Sequence, residues 1–415
     1  MKLRLPRWIA LVLNGREAGD LSPFQPLRPS LPAVSSSASH VFIALLFLHL
    51  WLSQSTLDVV QVGVELLLVV ALAWMLVKAR CRLSVTEVVL VAIFVLTLTV
   101  AMLYNSIQVA LLNSKIFGLS ILCLLVFTKL RFDMRLAVWV LCANVAMTLY
   151  QAFFGDPIWF EFVVNTVGGS WRQYLNSRPL GLFMSTHVSA TLTAIFFIWL
   201  SGRSKLRLGV GFVVLFFNAS FYIMASYAAH VGARVLAWWR LDKIVAAIGI
   251  TIVALAFLNA DAVTKFDLTK VSPVFTSREQ VGFTVITGQL LNMEAYSTAF
   301  TLVPLDSAEL SADFVDDKGN EVMYFTVIQQ GGFILAALYF ILLMMRIPGF
   351  RVFMAVSMLH YGMPTTPIVV LLLIQWARTA ADASVFAPLP DRSPNRSDDN
   401  AQGPVRPVAL ARRPT

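Results

Sequence analysis

The feature that most constrains this chain is a succession of apolar segments that are separated by short basic loops. A helix of about 20 apolar residues spans the hydrocarbon core of a bilayer. The sequence therefore predicts an all-α polytopic membrane helix bundle of about eleven or twelve spans. Its apolar segments are residues 39–52, 59–77, 85–104, 109–130, 134–155, 183–202, 206–222, 224–239, 244–258, 324–345 and 352–376.

Composition supports the same class of protein. Hydrophobic residues make up 58% of the chain and charged residues 13%, about half the charged fraction of a soluble domain. The net charge of +9 comes from short basic clusters between apolar runs, as topology signals do, so we do not expect nucleic acid as a partner. The three cysteines have neither a disulfide framework nor a zinc-binding spacing, and we expect no metal and no cofactor.

The distribution of basic residues predicts the topology, because cytoplasmic loops are enriched in Lys and Arg. The basic loops that fall on one side are those around residues 78–82, 129–135, 203–207, 240–243 and 346–351. This parity places the amino terminus in the cytoplasm and two larger loops, 156–182 and 259–322, outside. We expect residues 1–38 to be a partly disordered cytoplasmic leader, 39–377 the bundle, and 378–415 a disordered tail.

The last apolar stretch, 352–376, contains Pro364 and Pro367. Two prolines at this spacing favour either one kinked span or a tight hairpin of two short segments. The hairpin is preferred, and it would return the carboxyl terminus to the cytoplasm.

The end of the first outer loop carries the first candidate site. Arg172 and Arg178 lie ahead of Pro179 and Gly181, and His187 follows at the start of the next span. A guanidinium is an always-charged, forked donor that suits a phosphate or pyrophosphate near the membrane. Pro179 and Gly181 would shape a turn whose backbone amides also face a ligand. Alternatively, the arginines only anchor a helix end among the lipid headgroups.

The second outer loop carries ten acidic and four basic residues, and Arg278 stands out against this acidic background. Residues 281–300 are moderately apolar and predict a helix that lies in the membrane interface. At the end of the loop, a polar segment runs directly into an apolar one, which places Glu321 and Tyr324 at the boundary between water and lipid.

Taken in order, these motifs resemble the bacterial O-antigen and exopolysaccharide polymerase–ligase superfamily. The resemblance covers residues from about 149 to 376. It rests on the Arg178-Pro-x-Gly-x-Phe run, Thr276-Ser-Arg278, Asn320-Glu-x-x-Tyr324 followed by Gly331-Gly332, and His360-Tyr-Gly-Met-Pro364. Two places depart from the family's pattern. Asn320-Glu321 stands where ligases commonly carry His-Asn, and this favours the polymerase branch. Ser226-Tyr227 stands where the family often shows Ser-Arg.

The resemblance implies a metal-independent, inverting glycosyltransferase of the bacterial inner membrane, with its catalytic loops in the periplasm. It would transfer a growing undecaprenyl-pyrophosphate-linked glycan onto a new lipid-linked repeat unit. Arg178 and Arg278 would bind the pyrophosphate with Arg172 as a helper, and Glu321 would accept the proton from the acceptor. The accessory residues would be His187, Tyr324 and Tyr227. A chain-length regulator and export machinery are the protein partners that such an enzyme implies.

Three other interpretations of the sequence stay open. The chain could be a ligase that moves a finished glycan onto another acceptor, a flippase or exporter of the lipid-linked oligosaccharide, or a membrane scaffold without chemistry. A flippase should line its spans with charged residues, whereas the candidate arginines here lie in the outer loops. A purely structural Glu321 at the start of a span is also compatible with the pattern.

Overall fold

The computed structural model describes residues 31–53, 57–80, 82–104, 107–155, 159, 161–162, 179–201, 205–218, 220–238, 242–267, 270, 277–291, 324, 327–328, 331–359 and 363–382. These parts of the chain are mostly helical and contain no β-strand. Their only β pairing is an isolated bridge between Ala33 and Arg131. The fourteen α-helices are α1 Ser36–Leu52, α2 Asp58–Lys78, α3 Val85–Tyr104, α4 Ile107–Lys129, α5 Arg135–Phe154, α6 Thr186–Ser201, α7 Lys205–Phe217, α8 Phe221–Trp238, α9 Asp242–Leu258, α10 Ala260–Thr264, α11 Ser277–Leu291, α12 Phe333–Arg346, α13 Arg351–Ser357 and α14 Pro367–Asp382.

Three of the described helices are long and apolar enough to cross a membrane, namely Val59–Lys78, Val85–Leu103 and Arg135–Phe154. A fourth is added if the bent pair α12 and Pro348–Ser357, whose axes differ by 103°, counts as one span. The other apolar helical segments, among them Phe117–Lys129 of α4, have 10–17 residues. The chain is therefore consistent with a membrane protein, while eleven or twelve spans stay a prediction.

The core lies around α6 and α14. Side chains from Ile368 to Ala377 are buried on every face of α14, and the rings of Trp199 and Trp376 stack with their centroids 4.6 Å apart. Because a helix that is apolar all round must be enclosed, this arrangement explains why α14 shows no polar stripe. In contrast, α2 leaves Val59, Val70 and Val77 largely exposed, as expected for a surface that faces lipid.

Charged contacts define one end of the bundle, which we call the basic end. Glu87 at the start of α3 accepts the Ser84 amide hydrogen at 2.7 Å and lies 2.7 Å from Lys129 Nζ at the end of α4. Arg346, at the end of α12, lies 3.7 Å from the other Glu87 oxygen. Three loops that the sequence assigns to the same side thus meet at one carboxylate, while the orientation of the bundle in a membrane stays a prediction.

The opposite end carries the connection between α5 and α6, here called the 179–184 turn. Helix α5 has 20 residues and is therefore about 30 Å long. It begins next to the basic end, where its Arg135 amide donates to Asp133, and Gln151 in its last turn contacts the 179–184 turn. Gln151 follows Arg135 by 16 residues, or about 24 Å along the helix, so the turn lies at the end of α5 that is remote from the basic end.

The stretch 352–376 is not a single span. Helices α13 and α14 are separated by residues 358–366, and the Pro364 carbonyl accepts a hydrogen bond from the Tyr339 hydroxyl at 2.8 Å. Gln375 of α14 donates to the Phe127 and Leu130 carbonyls at 3.0 and 2.9 Å. The carboxyl-terminal part of α14 therefore returns to the basic end, which is the geometry of the predicted hairpin.

Several predicted boundaries differ from the structure. The predicted span 324–345 is interrupted at Gly332, whose φ is +75°: the described residues 324, 327–328 and 331 are helical, and a separate helix runs from Phe333. The break between the predicted spans 206–222 and 224–239 lies earlier, between Phe217 and Phe221, because Asn218 interrupts the apolar run. The first described helix begins at Ser36, ahead of the predicted start of the first span at residue 39, and α14 continues to Asp382. Most of the predicted leader and tail lies outside the described residues.

Candidate functional site

The 179–184 turn is held by side chains of α5. Gln151 Oε1 accepts two successive backbone amides, those of Leu180 at 2.9 Å and Gly181 at 2.8 Å. About two turns earlier in α5, Asn144 Oδ1 accepts the Leu182 amide at 3.0 Å. Because buried amides need partners, these three bonds satisfy a backbone segment that has no helix or strand of its own.

The same bonds correct one expectation. The sequence predicts that the amides around Gly181 face a ligand, but the amides of Leu180, Gly181 and Leu182 donate to Gln151 and Asn144 instead. The turn is thus a rigid support and not an anion-binding nest.

Further contacts enclose the turn from the sides. Trp159 Nε1 donates to the Gly181 carbonyl at 2.9 Å, and Leu180 and Met184 pack against Trp51 and Trp159. Helix α1 and the short segment that contains Trp159 therefore pack on the turn. The aromatic rings shield its backbone hydrogen bonds from water, which strengthens them.

Gly181 is required by this arrangement. Its φ is +61°, and a Cβ placed on it would overlap the Asn144 amide oxygen and the Ser189 hydroxyl, and stand 3.0 Å from Ser189 Cβ. Ser189 in turn donates to Asn144 Oδ1 at 2.9 Å. The sequence motif Pro-x-Gly therefore has a structural cause, since only glycine fits this backbone conformation and this space.

His187 lies in the first turn of α6, directly after the turn. Its Nδ1 is 3.1 Å from the hydroxyl oxygen of Ser220, a buried residue immediately ahead of α8. This contact joins the start of α6 to the start of α8, and it fixes the plane of the half-buried imidazole.

Helix α11 brings the second motif to the same end of the bundle. Arg278 is the second residue of this helix, and the structure describes only its backbone. Two turns further on, the buried Ile286 packs against Tyr222 of α8 and against Tyr324 and Ile328. Since Tyr222 follows Ser220 by two residues, α11 is connected through α8 to His187.

Tyr324 is fixed from the other side by α13. Its hydroxyl donates to the Ala355 carbonyl at 2.7 Å, and its amide donates to the Met358 carbonyl at 3.3 Å. The residue that the sequence places at a water–lipid boundary is thus a packing contact between α11 and the α13–α14 hairpin.

Tyr227 lies elsewhere. It is fully buried, and its hydroxyl donates to the Leu208 carbonyl of α7 at 3.2 Å. Gly211 lies against the same hydroxyl. The phenol therefore packs α7 on α8 inside the bundle.

The remaining predicted site residues cannot be placed. Arg172, Arg178 and Glu321 lie outside the described residues, and so do residues 292–300 of the predicted interfacial helix. The structure does describe residues close to two of them. Pro179 directly follows Arg178, and Tyr324 follows Glu321 by three residues.

Sequence reasoning missed three residues of this region: Asn144, Gln151 and Ser220. A signal was present for the first two, because an amide side chain inside an apolar span is costly unless it is hydrogen-bonded and so marks a polar contact. No comparable signal identifies Ser220, whose partner His187 lies 33 residues earlier in the chain.

Within the described ranges, no group of three or more His, Cys, Asp or Glu side chains could hold a metal ion. In comparisons with known proteins, no family model, no curated sequence and no solved structure matches this chain.

Proposed function

We propose that this protein is a polysaccharide repeat-unit polymerase of the bacterial inner membrane, related to the O-antigen and exopolysaccharide polymerase–ligase superfamily. It transfers a growing undecaprenyl-pyrophosphate-linked glycan onto a new lipid-linked repeat unit at the periplasmic face. The shorter helices also cross the bilayer in this proposal, with thinning or tilt that compensates for their length.

One observation carries the proposal: chain segments next to three motifs that are far apart in sequence are connected at one end of the bundle. The 179–184 turn follows Arg178 and leads into His187, which contacts Ser220. The helix that begins at Ser277 packs through Ile286 on Tyr222 and Tyr324. A random set of weak motifs would have no reason to converge in this way.

The chemistry assigns one role to each motif. Arg178 and Arg278, with Arg172 as a helper, bind the pyrophosphate, and Glu321 accepts the proton of the acceptor hydroxyl. The acceptor oxygen attacks the anomeric carbon, and the bond from that carbon to the pyrophosphate oxygen breaks with inversion. Negative charge then grows on the leaving pyrophosphate, where fixed cations stabilise it. Arg278 in the first turn of α11 adds its charge to the positive end of the helix dipole.

The experiment that tests the function is the glycan phenotype of a deletion strain. A polymerase predicts single lipid-linked repeat units in place of long chains. Finished polymer that fails to reach its acceptor would identify a ligase, and lipid-linked units trapped in the cytoplasmic leaflet would identify a flippase.

Complementation with point variants then tests the residues. Arg178→Lys and Arg278→Lys should both reduce polymer amount at equal protein level, because an ammonium cannot reproduce a forked contact with a phosphate. Arg80→Lys, in a loop that the sequence places on the cytoplasmic side, is the matched control and should complement fully. Wild-type polymer from both loop variants would refute the pyrophosphate site, and an active Glu321→Gln variant would exclude that carboxylate as the base.

A further inference from the structure

The 179–184 turn is held more firmly than a connection between two helices requires. Gln151 and Asn144 accept three of its amides, Trp159 donates to its Gly181 carbonyl, and Asn144 also donates to the Thr193 hydroxyl at 3.2 Å and so locks α5 on α6. Most loops between helices lie at the surface with few such contacts.

The turn is also strained. Met184 has φ +55° and is one of two non-glycine residues with positive φ among those the structure describes; Arg80 is the other. A side chain in this region costs about 1–3 kcal/mol and persists only where the surroundings over-determine it, which occurs most often at functional sites. Met184 is buried, so its conformation is imposed by packing and not by exposure to solvent.

We infer that Gln151 and Asn144 are positioning residues of the proposed substrate site: by fixing the 179–184 turn, they hold the backbone that follows Arg178 of the first outer loop, the residue proposed to bind a polyprenyl pyrophosphate. This inference rests on the proposed function, in which that loop binds the pyrophosphate. Neither side chain touches the substrate, and both act through the backbone of the turn.

The geometry at Gln151 separates this role from simple stability. One carboxamide oxygen accepts two successive amides, and a glutamate side chain has the same length and also offers oxygen acceptors. Methionine has nearly the same length but only a thioether, a weak acceptor. Gln151→Glu should therefore keep the turn in place, whereas Gln151→Met should release it while filling the same space.

The bundle offers a matched control at its opposite end. Gln375 is also a buried glutamine whose amide group bonds to the backbone of a connection, there the one between α4 and α5. Gln375→Met removes side-chain hydrogen bonds to the backbone at the basic end, away from the 179–184 turn, so it reports on destabilisation alone.

The test measures binding of radiolabelled undecaprenyl pyrophosphate to the full-length protein in nanodiscs, together with the apparent melting temperature of each variant. We expect Gln151→Met to weaken binding about tenfold, or about 1.4 kcal/mol, and Gln151→Glu to remain within about threefold of wild type. Gln375→Met should lower the melting temperature without a change in affinity.

Each other outcome refutes a defined part of the reasoning. If wild-type protein binds the probe, Arg178→Lys weakens binding and Gln151→Met does not, the positioning role is refuted and the proposed function stands. Equal losses in Gln151→Met and Gln151→Glu would also refute it, because the acceptor would not matter. Absence of saturable binding by the wild type would refute the proposed function, and the positioning role with it.

Discussion

Gly181→Ala is the sharpest single test of the fold at the candidate site. An alanine there must adopt φ +61°, which costs an L-residue about 1–2 kcal/mol. Its methyl group must also displace Asn144 or Ser189, and overpacking of this kind costs about 1–3 kcal/mol. Together the two terms predict a loss of about 2–5 kcal/mol in the free energy of unfolding.

The measurement is the unfolding of purified protein in mixed micelles with increasing SDS, followed by tryptophan fluorescence. Gly63→Ala in α2 is the matched control, since a Cβ there meets no atom within 4 Å. It should be neutral or stabilise the helix by up to about 1 kcal/mol. Equal stability of the two variants would show that the turn does not have the backbone conformation and packing described above.

Three further perturbations address the other end of the bundle. Gln375→Met leaves buried backbone groups around Phe132 without their partner and should cost about 1–3 kcal/mol in the same SDS titration; an unchanged midpoint would contradict the role of Gln375. Glu87→Gln removes the 2.7 Å ion pair with Lys129 and should lower the free energy of unfolding by about 1.5–3 kcal/mol. Additive effects of Glu87→Gln and Lys129→Met would show that the two side chains do not interact. A hydrogen bond from Ser36 holds the pKa of Asp133 below its ordinary value, so the carboxylate contributes stability that is fully present above that ordinary value and is lost as pH falls through its folded pKa. Asp133→Asn should therefore destabilise the protein at pH 7, and the difference from wild type should shrink as pH falls below the ordinary value; a difference that does not shrink with pH would contradict this assignment.

Much of the helical framework could be predicted from the sequence, because the apolar runs are long and their ends are marked by charged or turn-forming residues. Val85–Tyr104 is the same in both, with a Ser84-x-x-Glu87 capping box at its start. Prediction was poorer where the signal is one buried polar residue. The break at Asn218 sits inside an apolar run, so averaging over a window hides it.

The details of the candidate site could not be predicted, because its hydrogen bonds join residues from different helices. Local sequence shows that Gly181 needs positive φ, but the partners of its amide and carbonyl are Gln151 and Trp159, 30 and 22 positions away. The expectation that the amides face a ligand failed for this reason. Pairing over such distances depends on how α5 and α6 pack, and no local pattern encodes it.

The enclosed position of α14 has a consequence for biosynthesis. Its residues 367–377 are all buried, yet the helix follows every other described helix in the chain. During translation, the space that α14 fills beside α4 and α6 stays empty until α14 has been synthesised. Apolar surface of the earlier helices is exposed during that time. A ribosome that stops before Pro367 would therefore release a bundle without its central member, a ready substrate for membrane quality-control proteases.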